Sequence, residues 1–305
     1  MDKLKKLGLT ALAGSMVATS VAAGEFGVTG SLSWNWDSND SDESGNPMSM
    51  TNDVLFTGSG ETDQGWTATA NWELDHGYSG FDDQWLTLDF GDGGVLQYGG
   101  ASKGGRGIGL VDDYVPAADS AVYTLTSTTG AEYGVARGAS GTDNLSHQIT
   151  VGDVKLGAEI HKGAGTSTSW GLQYSGIDNL TIGFGQSDIS PGAQDGGSDS
   201  ETIGVKYAIG GITLAYQITE VDTSNDEDAK MYGASFAVND DLTVSYGRQT
   251  VEIQGKANDE INSGFSASYT MGSMSVVGYV NKTESIAGAS SSNAETKGVT
   301  LSIAF

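Results

Sequence analysis

The chain of 305 residues contains no cysteine. That removes disulfide cross-links and thiolate metal sites at once. It has three prolines, so few positions are closed to a hydrogen-bonded backbone ladder. Lysine and arginine together number 14 against 39 aspartates and glutamates, a net charge of −25. So acidic a chain repels the phosphates of nucleic acids and lipids and attracts cations. No apolar run reaches the roughly 20 residues of a membrane-spanning helix. If the chain lies in a membrane, a closed barrel is the architecture left to it. High charge with few aliphatics also marks disordered chains. Twelve tyrosines, eight phenylalanines and six tryptophans, many of them in alternating runs, argue for a folded one.

The amino terminus reads as an export signal. Lys3, Lys5 and Lys6 form a positive start, and Leu7 to Val21 is mildly apolar. Val21-Ala22-Ala23 then supplies small residues for cleavage. Thr10, Ser15, Thr19 and Ser20 break the apolar run, which is too short for an anchor. We therefore expect residues 1–23 to be a cleaved secretory signal and 24–305 to be the folded protein. The folded part keeps 11 basic and 38 acidic side chains, a net of −27.

Alternation begins directly afterwards. Phe26, Val28, Leu32, Trp34 and Trp36 share one face, and Gly27, Thr29, Ser31, Ser33 and Asn35 the other. A period of two puts one face in an apolar medium and one in water. The pattern returns at Trp66 to Leu74, Leu86 to Tyr98, Val154 to Ile160 and Trp170 to Tyr174. An internal repeat follows. Leu180-Thr-Ile-Gly-Phe, Ile212-Thr-Leu-Ala-Tyr, Leu242-Thr-Val-Ser-Tyr and Met274-Ser-Val-Val-Gly start 32, 30 and 32 residues apart. Each follows a tight turn and precedes a longer polar connection, so the period marks a hairpin with one short and one long link.

Sixteen strands are expected, starting near residues 26, 50, 65, 84, 95, 145, 154, 167, 180, 201, 212, 230, 242, 261, 274 and 295. Short turns on one side and long loops on the other are the arrangement of bacterial outer-membrane barrels. An even count lets the first and last strands pair and abolish the open edges. The last strand carries Val299, Leu301, Ile303 and the terminal Phe305 on its apolar face. A terminal phenylalanine so placed resembles the signal by which outer-membrane barrels are recognised for insertion.

One stretch breaks the rhythm. From Gly99 to Asn144 alternation nearly stops, and glycines mix with Lys103, Arg106, Asp112, Asp113, Pro116 and Asp119. Structureless insertions of this length are usually functional. We expect residues 99–144 to fold into the mouth of the barrel and narrow it.

The whole mature chain resembles the general diffusion porins of Gram-negative bacteria, in particular the sixteen-stranded porins of alpha-proteobacteria. Val54-Leu-Phe-Thr-Gly-Ser-Gly-Glu-Thr-Asp-Gln-Gly-Trp66, Leu86 through Tyr98 and the last strand carry the likeness. The expected fold is thus all-β, a sixteen-stranded antiparallel transmembrane β-barrel with a long third loop folded into the lumen. The resemblance further implies an outer-membrane homotrimer of separate pores that passes ions and small hydrophilic solutes, and no cofactor.

In such porins, acidic residues on the inner loop face basic residues on the wall. Asp112, Asp113 and Asp119 supply the acids, and Arg106 and Arg137 join them as constriction candidates. The wall departs from the family pattern. Inward positions of the second and third strands include Asp53, Thr57, Thr67, Thr69, Asn71 and Glu73, none of them basic. Lys155 and Lys206 also point inward, but close to short turns and below the expected constriction. Asp53, Glu73, Lys155 and Lys206 are the pore-lining candidates, and cation selectivity is the expectation.

Other readings compete less well. Gly100-Ala-Ser102-Lys-Gly104 fits the nucleophile-elbow spacing but lacks the following helix and a histidine partner. Gly105-Arg-Gly107-Ile-Gly109 misses the dinucleotide spacing. Asp75-His76 resembles the acid–imidazole pair of a barrel protease only loosely, so we expect no enzyme. Asp37 to Glu43 and Asp222 to Asp228 have the composition of calcium loops without their glycine and terminal glutamate. They suit weak divalent-cation binding on external loops and no ordered metal site. Trp34, Trp36, Trp66, Trp72 and Trp170 fit aromatic girdles at the two interfaces.

A solute-specific channel would place aromatic tracks in the lumen, where parity leaves mainly Trp85. A secreted acidic calcium-binding β-protein would explain charge and export but not lipid-sized apolar faces. Finally, Lys230, Arg248, Lys282 and Lys297 fall on the outward parity near the long-loop rim. A lipid-facing cation costs roughly 2–4 kcal/mol at the midplane and almost nothing at the interface. We expect these four to meet lipopolysaccharide phosphates.

Overall fold

The structure is a computed structural model that describes residues 24–39, 47–77, 80–81, 83–99, 106–111, 114–116, 134–136, 138, 144–163, 165–190 and 197–305. The leader 1–23, the Gly100–Gly104 motif, most of the Asp37–Glu43 loop, and Asp112, Asp113, Asp119 and Arg137 lie outside the described residues.

Sixteen strands form: β1 Glu25–Asn39, β2 Met48–Glu61, β3 Thr67–Asp75, β4 Gln84–Asp89, β5 Val95–Gly99, β6 Asn144–Val151, β7 Val154–Lys162 and β8 Thr166–Ile177. They continue with β9 Leu180–Ile189, β10 Ser198–Ile209, β11 Ile212–Asp222, β12 Glu227–Ala237, β13 Leu242–Ile253, β14 Glu260–Met271, β15 Met274–Glu284 and β16 Ala294–Ala304. Each pairs antiparallel with its sequence neighbours, and β1 pairs with β16 to close the barrel.

Closure rests on a specific register. Trp34 faces Leu301 and Leu32 faces Ile303. One rung further, Phe305 exchanges two 2.9 Å backbone hydrogen bonds with Gly30. The carboxyl-terminal residue therefore completes the ladder, an exposed phenylalanine on the outer face. Every strand then has two partners, and no edge is left for pairing with another chain.

The hairpin asymmetry is weaker than the repeat suggests. β7 and β8 are joined by residues 163–165, and β11 and β12 by 223–226. Strands of 10 to 12 residues from β8 to β14 account for most of the period. In the tight turn after β8, Asn179 adopts φ 63, a left-handed conformation that asparagine tolerates.

Polarity is inverted relative to a soluble protein. Phe26, Val28, Leu86, Tyr98, Ile203, Tyr232 and Phe265 stand exposed on the outer face. Among the most deeply buried side chains, Gln217 and Gln249 point to the inside and bond residues of the 99–144 stretch. Ile108 and Val111 have no exposed surface, and Val115, Ala215 and Met231 form one apolar cluster. So contiguous an exposed apolar surface marks an interaction face; on a closed barrel it suits lipid.

Candidate functional site: the lumen and its two walls

Three described pieces of the long stretch lie against the inner face of β7 to β14. At the first, the Arg106 amide donates to Glu159 Oε1 at 2.5 Å, and its guanidinium donates to Gln97 Oε1 at 3.1 Å. Ser169 Oγ donates to the other Glu159 oxygen at 3.1 Å and accepts from the Ile108 amide at 3.3 Å. Burial pulls the Arg106 pKa down, with Glu159 opposing; a guanidinium stays charged regardless.

The second piece centres on Tyr114. Its amide donates to Gln217 Oε1 at 3.2 Å, and its hydroxyl accepts from Gln173 Nε2 at 2.8 Å. Lys206 Nζ sits 4.8 Å from the ring centroid, within cation–π range. Lys206 is therefore not below the stretch, as its place near a short turn suggests, because Tyr114 reaches down to it. Burial pushes the Tyr114 phenol up, and the bond from Gln173 opposes. At the third piece, the Gly134 amide donates to Glu227 Oε2 at 2.6 Å, and its carbonyl accepts from Gln249 Nε2 at 3.2 Å. Asn262 in turn donates to Gln249 at 2.8 Å.

The other wall, from β15 and β16 around through β1 to β3, has a different character. Short side chains bond across strands: Ser33 with Ser302 at 2.7 Å, Thr300 to Asn35 at 3.0 Å and Thr57 to Asn71 at 3.1 Å. Tyr279 reaches across Gly298 to hydrogen-bond Asp37. Asp53 and Glu73 line one recess of about 540 Å³ together with Thr29, Ser31 and Leu55. Asp53 faces Asp75 in register. One Asp53 oxygen is buried and takes no hydrogen bond among the described residues.

The expected pore-lining residues thus all take inner positions, but on different walls. Lys155, between Thr150 and Gln173, joins Arg106 and Lys206 on the side that holds the stretch. Asp53 and Glu73 face them from the other. A longer count would have exposed this division, since no Lys or Arg occurs anywhere from residue 24 to 102. Asp75 of the Asp75-His76 pair belongs to a strand. It ends β3 on the inner face and accepts from the His76 amide at 2.6 Å. Tyr279 is an inward aromatic that sequence reading missed.

Outside, Arg248, Ser263, Lys282 and Glu295 stand in one cross-strand row. Lys282 is ion-paired with Glu284. The same rim carries acids that parity counting overlooked. Asp188, Asp199 and Asp222 face one another, as do Glu201, Glu220, Asp228 and Glu252. Like charges directly opposite are unfavourable, so the rim divides into an acidic sector over β9 to β13 and a mixed sector over β12 to β16.

A closed sixteen-strand barrel of this polarity matches a family model described as Gram-negative porin over residues 8–305. The chain belongs to the Gram-negative porin family. Its members are channels of the outer membrane and not enzymes. No curated protein matches the sequence closely enough to count as a relative. Among solved structures, the anion-selective porin from Comamonas acidovorans is 14% identical and superposes with a TM-score of 0.67, covering 92% of this chain and 100% of that one. A triple mutant of the Rhodopseudomonas blastica porin is 13% identical, with a TM-score of 0.69 and the same coverage. Vibrio cholerae OmpT is 11% identical, with a TM-score of 0.63, covering 94% and 100%. At such identities the likeness is one of fold, and the porin lumen has to be read from this chain's own side chains.

Proposed function

We propose that this porin is a general diffusion pore that prefers cations, with residues 99–144 as its constriction. The observation that carries the reading is the distribution of inner charge. The first five strands contribute Asp37, Asp53, Glu73 and Asp75 without a single lysine or arginine. Of the cations across the lumen, the Arg106 guanidinium donates to Gln97 and Lys206 lies over the Tyr114 ring. The acidic lining of these strands attracts a permeating cation and opposes a permeating anion. Packing of residues 106–111, 114–116 and 134–136 against the inner wall supports the constriction, to which Asp112, Asp113, Asp119 and Arg137 would add charge.

The test is the reversal potential of the purified protein in a planar bilayer under a salt gradient. Cations should pass more readily, and the preference should fade as salt shortens the Debye length below roughly 10 Å. Anion preference, the property named for the Comamonas acidovorans porin, would overturn the reading. With it go a cleaved leader at 1–23, a homotrimer, and weak divalent binding on external loops. Lys230, Arg248, Lys282 and Lys297 are proposed to contact lipopolysaccharide phosphates, Lys282 less strongly because Glu284 already pairs with it.

A further inference from the structure

We propose that a side-chain-free track on the inner wall sets the width of the pore, by fixing how closely residues 106–111 and 114–115 lie against β7 to β12. The inference rests on the reading of 99–144 as the constriction, and it assigns the dimension of that constriction to the wall. Register brings the track together. Gly157 of β7 faces Gly171 of β8, which faces Gly185 of β9, all on the inner parity. One step along β9, Gly183 faces Gly204 of β10. Gly233 of β12 lies beyond Ala215 of β11.

Nearly every atom that a Cβ would meet on this track belongs to the docked segment. At Gly157 it would fall 1.5 Å from the Arg106 carbonyl oxygen, and at Gly171 2.2 Å from that of Gly107. At Gly185 it would meet Ile108 at 2.9 Å, and at Gly183 the Tyr114 hydroxyl at 2.5 Å and Val111 at 2.8 Å. At Gly204 it would meet the Tyr114 ring at 2.6 Å, and at Gly233 Val115 at 2.8 Å, although there the neighbouring Tyr246 carbonyl is closer still at 2.5 Å. Residues 106, 107 and 108 thus cross β7, β8 and β9 at one residue per strand, backbone laid on backbone.

Glycine weakens a strand interior by removing packing and adding chain entropy. Six on one wall are a cost to the barrel unless close approach is needed there. Gly27, also on the inner face but on the other wall, has nothing within 4 Å of such a Cβ. Gly298 on that wall is crowded only by the ends of the Asp37 and Tyr279 side chains, at 2.4 and 2.6 Å, so the approach of loop backbone is what sets the track apart. The first two contacts are with backbone, so no rotamer change relieves them. A methyl group there must lift the segment toward the barrel axis, and the amides bonded to Glu159 and Gln217 keep it inside while it lifts.

The experiment compares Gly157→Ala and Gly171→Ala with Gly27→Ala and with a chain shortened between Gly104 and Asp119. It reads single-channel conductance and the size limit for polyethylene glycols, and checks closure by the gel shift between heated and unheated samples in detergent. Conductance should drop roughly twofold for either track variant and not for Gly27→Ala, since a narrower bore passes less current. Adding Val111→Ala and Tyr114→Phe to Gly183→Ala should restore the current that Gly183→Ala alone removes. If a track variant fails to close, Gly185→Ala, which meets Ile108 at no less than 2.9 Å and so needs a smaller displacement, serves in its place. Unchanged conductance in the track variants with a rise on shortening overturns the track alone. A rise in Gly171→Ala, meaning release and not lifting, overturns it as well. No response to shortening overturns the constriction itself.

Discussion

The two walls of the lumen follow the same alternating grammar and end as different kinds of surface. On β7 to β14 the inner positions behave like a protein interior. Gln217 and Gln249 have no exposed surface, and their amides are consumed in holding Tyr114 and Gly134. On β15, β16 and β1 to β3 the inner positions are short hydroxyls, amides and carboxylates, among them the buried Asn71, Glu73, Asn281, Thr283 and Thr296, beside a recess of about 540 Å³. What differs among the described residues is that residues 106–111, 114–116 and 134–136 pack on the first wall. Covering it demands bare backbone and paired polar groups.

The largest effect should come from erasing the charge difference. Asp53→Lys with Glu73→Lys puts cations on the open wall, and the reversal potential should move toward anion preference. Two unit charges 4 Å apart in water interact by roughly 1 kcal/mol, so each reversal is worth about fivefold or more in the permeability ratio. An unchanged ratio would mean that the open wall does not set selectivity. Asp112→Asn with Asp113→Asn should weaken cation preference less, since the wall carboxylates remain, and leave the yield of folded protein unchanged.

The next effect tests the covered wall. Gln217→Leu strands the buried Tyr114 amide, a loss of about 1–3 kcal/mol, and the open-channel current should become noisy as the segment loosens. Quiet current at wild-type conductance would show that this hydrogen bond does not hold the segment. Tyr114→Phe should be milder. It gives up the bond from Gln173 but keeps a neutral ring under Lys206, so selectivity should stay constant while noise rises slightly. A selectivity change there would mean that the phenol itself acts on ions.

The smallest effect on the current belongs outside both walls. Replacing Lys230, Arg248, Lys282 and Lys297 with Gln should leave conductance unchanged, because all four lie on the outer parity. Lipopolysaccharide carried through purification should fall. Equal retention would assign these cations to solvent and to the neighbouring acids.

Most of the fold was legible before any coordinates. Alternation in a chain without helical apolar runs leaves one membrane architecture, and strand starts such as those at residues 84, 95, 154, 180, 212, 242 and 274 coincide with the observed ones. The site was legible in part. Asp53 and Glu73 are inner residues by parity, because period two is a local property of one strand. Lys206 was misplaced because its neighbour, Tyr114, is 92 residues away in sequence, and nothing local announces the meeting. The acids at the outer rim were overlooked for the same reason. Glu201, Glu220, Asp228 and Glu252 are ordinary surface residues until register sets them side by side.

The sequence by itself determined the barrel, which face of each strand meets lipid, and the absence of cations along the first five strands. These follow from composition and from a repeat of two residues, and neither depends on distant partners. Tertiary structure alone decided which wall is covered. Gly157, Gly171 and Gly185 are three unremarkable glycines among 46. They become a track only when antiparallel register aligns strands separated by turns and loops, and when residues 106 to 108 come to rest on them. Register is a property of pairs of strands, and docking is a property of a wall with a loop, so no single stretch of chain encodes either.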